Sequence, residues 1–562
     1  MRRRPVGVAA AEAMFDWRQD AGVWYVRSPR PLGPYPKTLT ECLKHWANVA
    51  PSRVFLAQRD PARWRRLTYA EALHRVRAAA QALLDRGLTQ STPVAIVSGN
   101  SIDHALMALA CLHVGIPYAP VSPLYAVSGN VALFASLQPA LVFAADSLAL
   151  NGGPFELARP STFREAIPAN AVDEAHEAVN ADSIAKVMFT SGSTGAPKGV
   201  ITTHRMLCSN QEMLRTAMPF LAAEPPVLCD WLPWNHVFGG SHNFGIVLYN
   251  GGTLYIDEGK PTAAGFAETL RNLQEIETTA YFNVPKGYEM LVPALREDRA
   301  FREHFFRRVK LLFYAAAGLN QRLWDELREL AVDACGEEIL MMTGLGATES
   351  SPFALSTGIE GAAAGHVGLP APGVELKLAP VDGKLEARLR GPNITPGFWK
   401  DPVRTANAFD EEGFYKLGDA LVFADPRDPA RGFRFDGRIA EDFKLSTGAW
   451  VSVGPLRAQV LTALLGVAYE AVIAGPDRDF VTALLFPLPG AAPALVRERL
   501  RGLGNGISTR IRRAMLCGDP PTIHSGELTE KGSVNQQAVL RNRAGLVEEL
   551  YRGSPRTIDI ES

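Results

Sequence analysis

TSGSTGAPKG, residues 190–199, gathers two serines, two threonines, three glycines and one lysine into ten positions. Glycines let the backbone bend so that several N–H groups point into one concavity. Hydroxyls add donors and Lys198 adds a point charge, a combination suited to polyphosphate. The order Lys198-Gly199-Val200 is not that of a Walker A loop, where Gly-Lys-Ser/Thr runs into a helix. The flanks, IAKVMFT before and VITTH after, are apolar and β-branched, so the loop is expected to join two strands. A backbone nest rather than a helix dipole would then hold the anion. A flexible Gly/Ser surface turn is the competing reading; the ordered Thr-Ser-Gly-Ser-Thr-Gly…Pro-Lys-Gly string favours phosphate.

The chain around this loop has 562 residues, too many for a single core, so two or more domains are expected. Hydrophobic content of 47% and charged content of 21% are those of a soluble globular protein. A formal net charge of −1 gives no electrostatic footprint for nucleic acid. Cysteines 42, 111, 208, 229, 335 and 517 are scattered without CxxC or metal-type spacing, and read as reduced residues of a cytoplasmic protein. The N-terminal MRRRPVGVAAAEAMF is too weakly apolar for a secretory segment, and no stretch is long enough to span a bilayer.

Working outward on the N-terminal side, residues 150–182 read as a loose polar run-up to the loop. Before them, TLTECLKHWANVA is a helix with Thr38 or Thr40 as cap. TYAEALHRVRAAAQALLDRG, 68–87, is an amphipathic helix with Thr68 and Glu71 at capping-box spacing and Gly87 as C-cap. VAIVSGN reads as a buried strand, HALMALACLHVG as a helix, PYAPVSP as an extended turn and LVFAAD as a strand. That rhythm indicates an α/β sheet.

Beyond the loop, residues 227–256 are dense in aromatics and small residues and include His236 and His242. Most of them read as an ordinary helix packing its rings into the core; the alternative is a pocket wall shaped for a planar ligand. KLLFYAAAGLN, 310–320, and ILMMTGLGATESSP, 339–352, are each a buried strand running into a small-residue turn. The second turn holds Thr348 and Glu349, a hydroxyl beside a carboxylate, suited to Mg²⁺ on phosphate oxygens; a solvated turn glutamate is the plainer reading. Residues 365–437 are rich in short strands and turns, a β-subdomain. There Asp419, after Gly418 at a strand start, could take a ribose diol. The domain boundary is placed after Asp436-Gly437-Arg438, giving domains 1–438 and 439–562. The second is α+β, with strands AYEAVIAG and FVTALLFPL and helices APALVRERLRGL, ISTRIRRAML and SVNQQAVLRNRAGLVEELY.

From about Leu67 onward, the order of these motifs resembles the adenylate-forming superfamily of acyl-CoA synthetases, luciferases and peptide-synthetase adenylation domains. The resemblance implies an α/β fold: a large multi-subdomain N-terminal domain, with two α/β sheets plus the β-subdomain, and a small mobile α+β C-terminal domain. It implies that Thr190, Ser191, Gly192, Ser193, Thr194, Gly195 and Lys198 hold phosphates, with Ala316 and Ala317 on the adenine side. Gly344, Leu345, Gly346 and Ala347 would contact adenine, and Thr348 phosphate. Glu349 would bind magnesium, Asp419 the ribose, and Arg438 would precede a hinge at Ala440. The catalytic lysine would be Lys531, in Thr529-Glu530-Lys531-Gly532, and Lys444 would come to the site for a second step. His236, in WLPWNHVFGG, would be the acyl-pocket histidine, with Trp234, Phe238, Phe282 and Asn283 as further substrate contacts. The chain departs from the family pattern in having Leu345 at a position usually aromatic, Ala440 at the hinge, and Gly454-Pro455-Leu456-Arg457 where Pro-x-Glu is usual.

DWLPWNHVFGG, GRIAEDFKLSTGAWVSVGPLR and LTEKGSVNQQAVL further resemble feruloyl-CoA synthases, which activate hydroxycinnamic acids. The implied substrates are ATP with Mg²⁺, coenzyme A and a small aromatic carboxylic acid, with no nucleic-acid or membrane partner and a homodimer as the expected assembly. A fatty or other acyl-CoA ligase, and a free-standing adenylating enzyme that loads a carrier protein, are the alternatives.

Overall fold

A computed structural model describes the chain except residues 1, 19–21, 62, 125–130, 149, 151–154, 164–165, 192–196, 360–362, 523, 530–531, 533 and 562, and the side chains of 131, 132, 191 and 263. Strands Ile184–Ser191 and Pro197–Thr203 pair antiparallel, with Thr190 opposite Lys198. The Gly/Ser-rich loop therefore does join two strands. They form one side of a six-stranded sheet that continues through Tyr118–Val121, Val94–Val97, Leu141–Ala144 and Glu156–Ala158. Strands Val94–Val97, Tyr118–Val121 and Leu141–Ala144 are buried along their whole length and mutually parallel, as expected of strands covered on both faces.

PYAPVSP, expected to be a turn, is instead the strand Tyr118–Val121. Its prolines suggested a break, but the ladder to Ile184–Ser191 has its one register pair at Tyr118 and Lys186, so Pro120 lies beyond it. The 68–87 helix spans Tyr69–Asp85 and carries the capping box of Thr68 and Glu71. It ends on Arg86, with Gly87 at φ +70° in the next position. Gly87 N bonds Leu84 O at 2.8 Å and Leu88 N bonds Leu83 O at 3.3 Å, the two bonds of a Schellman turn. The described residues between 150 and 182, expected to be a loose polar run, include the strand Glu156–Ala158 and the helix Asn170–Ala178.

The chain divides into two units. One comprises Met1–Lys377, Arg388–Lys416 and Ala424–Phe433; the other comprises Leu378–Ala387, Leu417–Phe423 and Arg434–Ser562. The first is α/β with several sheets, and the second is a small α+β unit. In the first, the parallel strands Ala280–Asn283, Leu311–Tyr314 and Leu340–Leu345 are followed by the antiparallel Leu355–Ser356 and His366–Pro370.

The second unit shows how period-two burial builds a two-faced core. Along Ala468–Ala474 and Val481–Pro487, the residues Ala471, Ile473, Val481, Ala483 and Leu485 face one cluster with Leu456, Val460, Val496 and Leu500. Val472, Leu484 and Phe486 face the other, with Val539 and Leu550. Helices therefore cover both faces. ISTRIRRAML, expected to be helical, contributes the strand Ile511–Leu516, which pairs with Val481–Pro487 and Ile558–Asp559. Ile511, Ala514 and Met515 have helical spacing, but non-local pairing overrides it. All six cysteines are free, and no helix among the described residues is long and apolar enough to cross a membrane.

Three histidines meet in the first unit. His113 and His176 stack with ring centroids 4.2 Å apart, and His204 is fully buried with neither ring nitrogen hydrogen-bonded among the described residues. Burial, with the charges of His176, Arg77 and Lys44 adding and that of Asp173 opposing, pushes His113 down to about 3. Burial likewise pushes His204 down to about 4. All are neutral in the native state, whereas an unfolded histidine titrates near ~6.5. Their contribution is therefore fully present above that value and is lost as pH falls towards 4, because the unfolded chain binds the protons. The thermal midpoint is expected to drop between pH 7 and pH 5. His204→Met, which removes a titrating ring without breaking a hydrogen bond, is expected to flatten that slope; parallel slopes for both proteins would contradict it.

Candidate active site

The carboxyl ends of the three parallel strands gather the candidate residues. Asn283 is in register with Tyr314, and Tyr314 with Thr343, so Phe282–Asn283, the 315–318 turn and Gly344–Ala347 follow adjacent strand ends. Ligands of open α/β sheets bind at such edges. Ala316 and Ala317 are exposed, and Ala316 has φ +75°, a left-handed conformation that costs a non-glycine residue on the order of 1 kcal/mol or more. Gly346 has no room for a side chain, because a Cβ there would overlap the Pro352 carbonyl. Leu345 is half-buried beside it.

Thr348 and Glu349 lie on a short 3₁₀ turn, Thr348–Ser350, and both are buried. Two amides clamp the backbone of that turn. Asn210 Nδ2 donates to Phe353 O at 2.7 Å, and Asn393 Nδ2 donates to Ser350 O and Phe353 O at 3.0 Å each. Thr395 N donates to Glu349 O at 2.8 Å. The Glu349 carboxylate, 7% exposed, meets Lys198 Nζ at 2.7 Å. Lys198, 25% exposed, also stands 5.3 Å above the Phe398 ring. The structure thus brings the loop lysine to the turn carboxylate from a distant part of the chain. Thr190 lies opposite Lys198, half-buried. Gly192, Ser193, Thr194 and Gly195 fall outside the described residues, as does the side chain of Ser191.

The fit to Mg²⁺ can be judged from the donors. Among the described residues no three His, Cys, Asp or Glu side chains group as metal ligands. One buried carboxylate beside a hydroxyl does not make a protein cage, but it suits an ion that arrives with phosphate oxygens and keeps waters.

The aromatic candidates form an enclosure next to this turn. Residues 227–256 contain two strands, Val227–Asp230 and Thr253–Ile256, around a turn of π-helix, Phe238–Asn243, and the helix Phe244–Tyr249. Irregular turns of this kind recur at functional sites. Gly239 and Gly240 are required there, since a Cβ on either would strike the carbonyls of Leu232 or Trp234. Phe238, Phe282, Phe313 and Phe353 surround His242. Phe353 follows Glu349 by four residues, so one turn serves both the charged pair and the rings. His236 is half-buried at the entrance of the turn, its carbonyl accepting Gly240 N at 2.8 Å. Trp234 packs elsewhere, against His104 and Phe244. The Asn283 amide is spent locally, on the Tyr281 hydroxyl and on Val284 N.

Sequence reasoning passed over Lys186. It is 1% exposed on the strand leading to the loop, and its ammonium donates to Ser241 Oγ at 2.7 Å and Gly240 O at 3.3 Å. Burial pushes it down to about 7. It ties the strand that leads into the Gly/Ser-rich loop to the aromatic turn, and the signal was a lysine inside an apolar strand.

In the second unit, Asp419 lies in the middle of the strand Tyr415–Phe423 rather than at its start, following Gly418 at φ +76°. Asp419 Oδ1 is 3.3 Å from Arg438 Nε. Ala440 sits in the 3₁₀ turn Ile439–Glu441, and its carbonyl accepts Gln537 Nε2 at 3.1 Å. Two residues on, Asp442 is 2.6 Å from Lys384 Nζ and accepts Val453 N at the start of helix Val453–Ala463. Lys444 is exposed on the hairpin Phe443–Lys444/Trp450–Val451, 5.5 Å from the Trp450 ring. Lys531 and Glu530 lie outside the described residues.

Comparison with known proteins supplies the context. The family described as AMP-binding enzyme matches residues 43–399. A 4-coumarate–CoA ligase-like protein 9 of Arabidopsis thaliana is 27% identical over 448 residues, 74% of this chain and 74% of that protein. A 4-chlorobenzoate–CoA ligase of Arthrobacter is 25% identical over 466 residues, covering 80% and 85% respectively. The crystal structure of ATP-bound MatB from Rhodopseudomonas palustris superposes with a TM-score of 0.71 at 22% identity, covering 91% of this chain and 99% of that one.

Proposed function

Because the chain belongs to the AMP-binding enzymes of the adenylate-forming superfamily, we propose that it is an AMP-forming aryl-CoA ligase acting on a hydroxycinnamic acid such as ferulate. The observation that carries this reading is the shared turn. Glu349 pairs with the loop lysine on one side, while Phe353 joins the aromatic enclosure four residues later. A planar acid buried among phenylalanines gains by stacking and by apolar burial. Its carboxylate would then lie near the groups suited to phosphate.

A carboxylate does not acylate a thiol at neutral pH, because oxide is too poor a leaving group. In the proposed reaction the carboxylate attacks the α-phosphate of ATP, pyrophosphate leaves, and the thiolate of CoA displaces AMP from the acyl-adenylate. The first step gathers anionic charge, so it needs cations and donors fixed in advance. Lys198, Thr190 and the loop hydroxyls Ser191, Ser193 and Thr194 would hold the β- and γ-phosphates. Glu349 and Thr348 would hold Mg²⁺, which supplies charge neutralisation on those oxygens. Lys531 would bridge the carboxylate and the α-phosphate, and Asp419 would take the ribose. Lys444 and its hairpin would serve the thioester step.

The test is incubation with ATP, Mg²⁺, CoA and ferulate. The conjugated thioester is read by its red-shifted ultraviolet absorbance, together with AMP release. The reading predicts both signals, each lost without CoA or without ATP. AMP release and thioester from a fatty acid but not from ferulate would replace it with the aliphatic ligase reading. Ferulate-dependent exchange of pyrophosphate into ATP without thioester would point to an acceptor other than CoA.

A further inference from the structure

A side-chain hydroxyl stands inside the sheet ladder beside Lys198. Strand Pro197–Thr203 is the edge of the six-stranded sheet, and residues 397–399 lie along its open side. Trp399 N donates to Gly199 O at 2.7 Å, Ile201 N donates to Gly397 O at 3.1 Å, and Val200 bridges Phe398 in antiparallel sense. A regular antiparallel pair of Ile201 and Gly397 would exchange a second bond, from Gly397 N to Ile201 O. The Thr395 hydroxyl takes that rung instead. Its Oγ1 accepts from Gly397 N at 3.1 Å and donates to Ile201 O at 2.7 Å. Gly397 O lies 2.9 Å from the same oxygen but already accepts from Ile201 N, so the one hydroxyl proton is assigned to Ile201 O, the shorter contact. The backbone of the same residue faces the other way: Thr395 N donates to Glu349 O at 2.8 Å. Thr395 is 2% exposed, and all of these residues belong to the first unit.

One threonine therefore joins the strand that carries Lys198 to the turn that carries Glu349. Those two side chains meet at 2.7 Å although they are 151 positions apart in the chain. We propose that Thr395 is a positioning residue of the metal–nucleotide site, fixing the spacing of the Lys198 strand and the Glu349 turn through its hydroxyl and its N–H. This rests on the reading of Lys198 and Glu349 as the groups that would meet the triphosphate and Mg²⁺. A lysine and a carboxylate that already pair have to exchange each other for phosphate and metal. They keep their aim through that exchange only if the two backbones stay in place, which is the work of the residues behind them. Removing the hydroxyl leaves Gly397 N and Ile201 O facing each other across a gap one oxygen wide. If the ladder closes, it draws Thr395 N away from Glu349 O. If it does not, a donor and an acceptor are left unpaired, at a cost, and the segment that holds the turn is loosened. In both cases the loss falls on a ligand that uses Lys198 and Glu349 together. AMP, which lacks the β- and γ-phosphates, is spared.

The experiment measures, by titration calorimetry on the full chain without acid or CoA, the affinities for ATP with Mg²⁺, for ATP with EDTA and for AMP. Thr395→Val keeps the shape of the side chain and removes the hydroxyl, whereas Thr395→Ser keeps the hydroxyl. In Thr395→Val, binding of MgATP relative to AMP is expected to weaken by about 10-fold, the loss of one hydrogen bond. Thr395→Ser is expected to stay close to the wild-type ratio. Each ratio is taken within one preparation, so the fraction of folded protein cancels. A merely structural threonine would lower the melting temperature and leave the ratio alone, and that result in Thr395→Val overturns the proposal. So does a Thr395→Ser that loses as much as Thr395→Val. If Thr395→Val does not fold, Thr395→Cys decides: its thiol is a weak donor and wider than an oxygen, so the ratio is expected to fall by a few-fold, and an unchanged ratio overturns the assignment. A wild type that binds ATP no more tightly with Mg²⁺ than with EDTA overturns the reading of Lys198 and Glu349 and this assignment together. A wild type that needs Mg²⁺, beside a Thr395→Val with the same MgATP-to-AMP ratio, overturns the Thr395 assignment alone.

Discussion

Lys531→Ala is expected to lower acid-dependent exchange of pyrophosphate into ATP by about 10²- to 10³-fold, the loss typical of one donor aimed at a developing oxyanion. Thioester formation from a supplied acyl-adenylate is expected to stay within a few-fold of wild type. The separation follows from the charges. Attack on the α-phosphate brings a carboxylate against a polyphosphate, and a fixed cation between them lowers that barrier. Displacement of AMP by a thiolate has no pyrophosphate to neutralise and begins from an acyl carbon already activated. The two rates are read separately, one by isotope exchange without CoA and the other by thioester absorbance with adenylate and no ATP. Equal loss of both would remove Lys531 from the adenylation step.

The second large effect is at Glu349, where the two partners of one ion pair are expected to differ in stability though both variants lose exchange. Glu349→Gln keeps the size of the side chain and an oxygen for Lys198, but removes the charge. Lys198 is 25% exposed and can be hydrated, so the melting temperature is expected to change little. Pyrophosphate exchange is expected to fall by about 10²-fold, because the carboxylate that would hold Mg²⁺ on the phosphates is gone. Lys198→Ala instead strands a carboxylate that is 7% exposed. Breaking a buried pair from the cationic side typically costs about 3–5 kcal/mol, and the partial exposure of Lys198 places this one at or below the lower end. That variant should lose stability as well as exchange. Melting curves and exchange rates of the two variants decide it: equal destabilisation, or an active Glu349→Gln, would show that the pair is structural only.

The parts of this molecule legible in the sequence are those set by local chemistry. Thr68 and Glu71 announce a helix start, and the apolar flanks of residues 190–199 announce strands, because caps and β-branched runs act over a few residues. The misreadings share a cause. Tyr118–Val121 looked like a turn from its prolines, and Ile511–Leu516 looked like a helix from its spacing. Both are strands because of partners far away in the chain. Asp419 sits in mid-strand because Gly418 turns the backbone within a strand instead of starting one. At the site, the sequence named Lys198 and Glu349 separately, and only folding puts them 2.7 Å apart. It named Phe238 and Phe282 but treated His242 as core. The rings that pack on His242, Phe282, Phe313 and Phe353, come from segments far apart in the chain, which no single window contains. The stack of His113 and His176 is invisible for the same reason.

The measurement that bears most directly on the account is exchange of labelled pyrophosphate into ATP, run without CoA and with ferulate as the only acid. Exchange that requires ferulate and Mg²⁺, and that CoA converts into thioester and AMP, is the predicted result. Exchange that proceeds with a fatty acid but not with ferulate, or with no carboxylate at all, would contradict it.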